Sequence, residues 1–129
     1  MKTRQFRSWE TFDNAMGDAN MTSLIGYIEA SPAELVRLFG KPCESDGYKV
    51  SGEYLFKIWD TFVTVYDWKM TSLYDEDYVD PKDFWKSEER VTFNVGANKR
   101  EGAAETIHEL IFLIQYKRIQ KALKEVSNG

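Results

Sequence analysis

His108 and Cys43 are the single histidine and the single cysteine of this sequence, and any imidazole or thiolate chemistry would have to come from them. His108 is the only histidine and follows Glu105 by three residues, a spacing that can present two metal ligands on one face of a helix. A di-iron bundle needs two such E-x-x-H motifs together with further carboxylates, and this sequence has one. The pattern therefore favours a histidine on a helix surface over a metal ligand.

Cys43, in the turn after "FGKP", is the only cysteine, which excludes an internal disulfide bond and a cysteine-based zinc site. A nucleophilic cysteine requires a general base, and only His108 could supply one, although no spacing pairs the two. The sequence also lacks a serine nucleophile elbow, a glycine-rich phosphate loop ahead of a lysine and an HExxH motif. We therefore expect a protein that is not an enzyme and that needs no cofactor or metal.

The segment "GANKREG", from Gly96 to Gly102, is the best candidate for binding a small anion. Lys99 and Arg100 supply positive charge, and a predicted helix follows whose first N–H groups are free. A phosphate or nucleotide could bind there, but basic loops before helices are also ordinary connecting turns. We keep nucleotide binding as an alternative function.

A stretch from Ser72 to Glu89, "SLYDEDYVDPKDFWKSEE", combines acidic and aromatic residues between two predicted strands. Tyrosine and tryptophan are frequent interface anchors, and acids around them steer a basic partner. The connection is about 20 residues long, and connections of that length in a compact domain are often functional. We predict a partner-binding surface formed by Tyr74, Asp75, Glu76, Asp77, Tyr78, Asp80 and Trp85.

The same stretch also has a purely structural interpretation. Asp80 is a good helix N-cap, and "DPKDFWKSEE" could form one turn of helix with Phe84 and Trp85 packed inward. The two interpretations differ in whether the rings face water or the core.

Composition and charge limit the remaining function classes. The chain has 129 residues, enough for one domain with a real core, and a net charge of −4, which argues against general binding of polyanions such as nucleic acid. No apolar run approaches the ~20 residues of a membrane span, and the N-terminus lacks the apolar core of a signal peptide. We expect a cytoplasmic protein without a membrane partner.

Periodicity predicts a single α+β domain in three parts: an N-terminal helical arm over residues 1–22, a core over 23–96 and a long helix over 103–127. The core should contain a strand, a short helix with an S-x-x-E capping box from Ser31 to Glu34, a β-hairpin and a last strand. A mostly antiparallel four-stranded sheet with helices on one face accommodates this order. Polar residues should face water on its other side: Ser51, Glu53, Lys57 and Lys69.

The long helix carries a second apolar stripe, rotated from the one that should pack on the sheet. A helix of this length spans roughly 35 Å and an eight-residue strand about 27 Å, so its C-terminal half should overhang the sheet. Either the N-terminal arm or a second copy of the protein must cover that half. The predicted dimer interface consists of Phe112, Tyr116, Ile119 and Leu123.

Four matching segments resemble a group of small, mostly uncharacterised accessory proteins of bacteriophages. The matches lie at Gly26–Ser31, Glu34–Pro42, Asp46–Glu53 and Thr64–Lys69, and with the last strand the resemblance covers about Gly26 to Gly96, more than half of the chain. Their pattern reads "GYIEAS…ELVxxFGxP…DGYKV…TxYDWK". The chain departs from it at Tyr54, where the group has tryptophan, and at "FNVGA", where it has "WHIGG".

The resemblance implies a compact α+β core and a phage origin, and it transfers no catalytic residue. Small acidic phage proteins often inhibit host defences, including CRISPR systems. We therefore expect a phage-encoded protein that acts in the host cytoplasm by binding a host immune effector, one that normally binds nucleic acid. It would not bind nucleic acid directly. The alternative is a homodimer that sequesters a nucleotide signal, with Lys99 and Arg100 on the phosphates.

Overall fold

The computed structural model describes residues 22–43, 49–58 and 61–128. The predicted N-terminal arm lies outside this part of the chain, apart from its last residue. The described elements, in chain order, are β1 (Ser23–Ala30), α1 (Pro32–Phe39), β2 (Glu53–Ile58), β3 (Thr61–Tyr66), α2 (Pro81–Phe84), β4 (Val91–Ala97) and α3 (Ala103–Asn128).

The four strands form one antiparallel sheet in the order β1-β4-β3-β2. The β2–β3 hairpin was predicted, whereas the position of β4 between β1 and β3 was not. Ser23 of β1 pairs with Ala97 of β4, so the first and last strands are neighbours although most of the core separates them in sequence. The α+β architecture is confirmed.

Helix α1 begins and ends where its sequence signals predict. The Ser31 side chain accepts a hydrogen bond from the Glu34 N–H at 3.2 Å, and Pro32 occupies the first turn. Gly40 ends the helix with φ of 85°, a left-handed conformation that glycine adopts without steric cost.

One face of the sheet forms the core with the helices. It contributes side chains from all four strands, including Ile28, Phe56, Val65 and Phe93, and Leu110 of α3 packs against this cluster. Helix α3 contacts β1 and β2, the two outer strands, and therefore crosses the whole sheet.

The opposite face of the sheet is less solvated than the sequence predicts. Lys57 is exposed there, but Ser51, Glu53 and Lys69 are only half exposed. Leu55 and Thr64, which pair across β2 and β3 on this face, are each 1% exposed. The sequence prediction was based on the polar residues of this face. It did not take account of Leu55 at the centre of the face, which has to be buried.

The overhang of α3 is as predicted. Its 26 residues span about 39 Å, and its buried residues end at Ile114. Beyond that residue, an Arg118–Glu34 ion pair and a hydrogen bond from Lys121 to the Arg37 carbonyl connect α3 to α1. None of the described helices is long and apolar enough to cross a bilayer.

Candidate partner-binding surface

The first part of the β3–β4 connection is a closed loop, residues 72–80, which we call the acidic loop. The Ser72 N–H donates to the Val79 carbonyl at 2.8 Å and so joins the two ends of the loop. Inside it, the Tyr74 N–H donates to Thr71 O at 3.0 Å and the Tyr78 N–H to Asp75 O at 2.9 Å. Thr71 is buried and anchors the loop on the body. The backbone conformation is therefore fixed before any partner binds.

The acids of the acidic loop divide into structural and solvated groups. Asp75 accepts a hydrogen bond from the Asp77 N–H at 3.0 Å, and Asp80 caps α2 by accepting from the Lys82 N–H at 2.9 Å. Glu76 and Asp77 are exposed, and in the described part of the chain neither forms an ion pair. Within the part of the chain that the structure describes, these two carboxylates thus place negative charge at the loop surface without an ion-pair partner.

Trp85, which the sequence prediction placed on the partner-binding surface, is half-buried and packs against the core. Its ring packs edge-on against Tyr54 and Phe84 and lies 5.8 Å from the Phe93 ring. Its indole N–H donates to Ser51 Oγ at 3.0 Å. A Cβ at position 52 would lie 2.7 Å from this indole, so Gly52 permits the close contact. The structural interpretation of "DPKDFWKSEE" is therefore correct for Trp85 and for Phe84, which is buried.

The buried carboxylate of Asp67 holds the segment just before β2, Ser51 and Gly52, which contacts the Trp85 ring. It accepts hydrogen bonds from the backbone N–H groups of Ser51 and Gly52, both at 2.9 Å, and from Ser51 Oγ at 2.8 Å. Burial raises the pKa of the Asp67 carboxyl above its ordinary value, and these hydrogen bonds oppose the shift. Asp67 is therefore a structural residue.

Trp68 is an exposed tryptophan that the site prediction missed. It is 40% exposed, lies 6.3 Å from the Tyr66 ring and stands 5.6 Å from the ammonium groups of both Lys49 and Lys69. The alternation of side chains along β3 places Trp68 on the same side of the sheet as Tyr66. This alternation is the sequence signal for Trp68, but it does not show that this side of the sheet is open to solvent at Trp68.

Lys69 links Trp68 to the acidic loop. Its φ of 57° is unusual for a residue with a side chain, and its ammonium group lies 5.2 Å from the Tyr74 ring. Tyr74 and Tyr78 are 6.4 Å apart. The rings therefore form two pairs, Tyr66–Trp68 and Tyr74–Tyr78, with the Lys69 ammonium group near one ring of each pair. We call these four rings the aromatic strip.

The other predicted chemical groups remain apart from this surface. Lys99 and Arg100 are exposed in the turn before α3, with the exposed acids Glu101 and Glu105 beside them. His108 is exposed on α3. Within the described residues, no group of three histidine, cysteine or acidic side chains could hold a metal ion.

The predicted dimer residues all lie on the exposed side of α3. Phe112, Tyr116, Ile119 and Leu123 are at least 40% exposed, and Leu123 reaches 62%. They therefore lie on a different element from the acidic loop.

Neither a protein-family model nor a curated protein matches this chain. The geometry alone therefore indicates what the surface can do. A closed loop with uncompensated acids, next to exposed rings, can bind a basic surface with little loss of conformational entropy.

Proposed function

We propose that this chain is a non-enzymatic binding protein that docks on a basic surface of another protein. The acidic loop and the aromatic strip form the docking surface. The observation that carries this proposal is the fixed conformation of the loop, which presents Glu76, Asp77 and Tyr78 to solvent while its ends are joined by the Ser72–Val79 hydrogen bond.

The composition of the surface supports this proposal. Tyr78 is 46% exposed, and Leu73 and Val79 beside it are similarly exposed, so the loop combines apolar area with charge. Interfaces of this kind obtain affinity from aromatic anchors and association rate from complementary charge. Trp68 replaces Trp85 as the tryptophan anchor of the proposed surface.

The narrower proposal is that the protein is a phage-encoded inhibitor of a host defence factor, such as an anti-CRISPR protein. It rests on the resemblance of residues 26–96 to phage accessory proteins. A nucleic-acid-binding immune effector has a basic surface that normally contacts phosphates, and the carboxylates of the acidic loop would compete for it. The inhibitor would act in the host cytoplasm by occupancy alone.

The decisive experiment neutralises the three acids together in Asp75→Asn/Glu76→Gln/Asp77→Asn. Asparagine at position 75 keeps the acceptor for the Asp77 N–H, so the loop conformation should be retained. We expect the partner recovered from bacterial lysate by the wild type to bind this variant at least about tenfold more weakly, with a smaller salt dependence. Affinity would be measured by calorimetry at low and high salt.

A matched control distinguishes an effect of the charges on the acidic loop from an effect of the net charge of the protein. Glu89→Gln/Glu101→Gln/Glu105→Gln changes the net charge by the same amount at exposed positions outside the acidic loop. This control should bind as the wild type does. Equal weakening by both triple variants, or none by the first, would contradict the proposed docking surface. Plaque formation on a CRISPR-protected host, with and without the protein, tests the narrower proposal.

A homodimer that captures a nucleotide is the second candidate, favoured by the exposed apolar side chains on the overhanging half of α3. Lys99 and Arg100 would contact the phosphates. Calorimetry with cyclic and linear nucleotides tests this candidate, because the expected heat of binding should disappear in Lys99→Gln/Arg100→Gln. An absence of heat with every nucleotide would remove it.

A further inference from the structure

A basic groove lies between the end of α1 and the overhanging half of α3, away from every residue of the proposed docking surface. Its volume is about 610 Å³ and it is open to solvent on one side. Among the described residues that line it, none is acidic. The cations of the groove are Arg37, Lys117, Lys121 and Lys124.

Two of these cations are already engaged in structural contacts. Both terminal nitrogens of Arg37 bind the Glu88 carboxylate, and this ion pair holds the pKa of Glu88 below its ordinary value. Lys121 donates to the Arg37 carbonyl at 3.3 Å, where the end of α1 leaves carbonyl groups without helical partners.

Lys117 and Lys124 are the two cations of the groove that remain available. Among the described residues, neither makes a hydrogen bond or an ion pair. A ligand that supplies negative charge would therefore gain both contacts without breaking an existing one.

The side chains of the groove favour phosphates over the carboxylates of a protein. The planar fork of arginine, which fits carboxylate and phosphate alike, is not available here because Arg37 and Arg118 are both occupied by acids of this chain. Lysine binds phosphate as a point charge. The groove also has no aromatic side chain among its lining residues, whereas protein interfaces usually need such an anchor.

We propose that this groove binds the phosphate backbone of a nucleic acid duplex through Lys117 and Lys124, independently of base sequence. The two residues are separated by about 10.5 Å along α3, the axial length of about three phosphates on one strand. The open side of the groove admits a long rigid ligand, whereas a small molecule would be better enclosed in its site.

The net charge of −4 does not prevent this contact, because four cations line the groove and two of the acids near it, Glu34 and Glu88, are already bound by Arg118 and Arg37. Glu125 also lies near Arg37, whereas six further acids lie between Asp75 and Glu89 outside the groove. Charges beyond a Debye length of about 8 Å are largely screened at physiological salt, so the local charge decides whether a phosphate binds.

The test uses the full chain with fluorescein-labelled 20-base-pair DNA and RNA duplexes of mixed sequence, followed by fluorescence anisotropy. We expect a Kd of about 10⁻⁴ to 10⁻⁶ M, the range of sequence-independent binding. Lys117→Gln/Lys124→Gln should weaken binding about tenfold and reduce the salt slope by about 2, one for each lost phosphate contact. Lys117→Arg/Lys124→Arg should retain binding.

The control is Lys57→Gln/Lys82→Gln, which removes two exposed lysines outside the groove and gives the same net charge. Equal weakening in this variant, or no binding by the wild type at 50 mM salt, would overturn the proposal. Polyglutamate that binds as tightly as the duplexes would also overturn it and assign the groove to an acidic protein. Because the acidic loop is unchanged in all these variants, this test does not depend on the proposed docking surface.

Discussion

Two tryptophans of this chain have opposite roles, and individual substitutions should separate them. Trp85→Ala removes a packed ring and the hydrogen bond to Ser51, so we expect the free energy of unfolding to fall by about 3–5 kcal/mol. Trp68→Ala removes a ring at the surface and should cost less than about 1 kcal/mol of stability. The measurement is urea unfolding of both variants.

The same two variants should also differ in their affinity for the partner, in the opposite order to their loss of stability. Trp68→Ala should weaken partner binding about fivefold or more because it removes an anchor of the aromatic strip. Trp85→Ala should bind normally at temperatures where it is folded. The reverse order of the two affinities would show that the docking surface has been placed wrongly.

Asp67 should give the stability of the protein a measurable pH dependence. Its pKa is higher in the folded than in the unfolded state, so the folded state holds this proton more tightly. As the pH rises from the ordinary value near 3.8, the wild type should therefore lose stability relative to Asp67→Asn, which does not titrate. Above the raised pKa the difference should be constant. Unfolding measured from pH 3 to pH 7 checks the sign, and a relative gain by the wild type would contradict it.

The overhanging half of helix α3 provides a prediction about the oligomeric state of the protein. Ile119 and Val126 are 59% and 79% exposed on its overhanging half. If a second copy packs there, the wild type should have about twice the 15.0 kDa mass of one chain in solution, and Ile119→Glu should restore the single mass. Lys82→Gln, which changes the net charge by the same amount at an exposed position outside α3, is the control. Light scattering after size exclusion measures both masses, and a wild type of 15.0 kDa would exclude the dimer.

The secondary structure elements could be predicted from the sequence wherever the signal is local. Ser31 and Gly40 mark the two ends of α1, and Asp80 with Pro81 marks the start of α2, because each acts on backbone groups within a few residues. The sheet order could not be predicted, because nothing in β1 or β4 specifies which distant strand it pairs with. The packing of Trp85 could not be predicted for the same reason, since two of the rings that it packs against, Tyr54 and Phe93, belong to β2 and β4.

At the scale of the whole molecule, charge is separated between two faces. The acidic loop carries uncompensated carboxylates, whereas the groove between α1 and α3 carries Lys117 and Lys124. The net charge is the sum of these unlike regions and describes neither of them.

The sheet order also determines how the chain can fold. The β2–β3 hairpin joins neighbours in sequence, so it should form early, on the microsecond timescale of isolated hairpins. Among the described strands, β1 is synthesised first and pairs with β4 alone, so it must wait until nearly the whole core has been synthesised. Because many contacts join residues that are far apart in sequence, we expect refolding to take milliseconds or longer. During this period the unpaired edge of β1 is exposed and can aggregate.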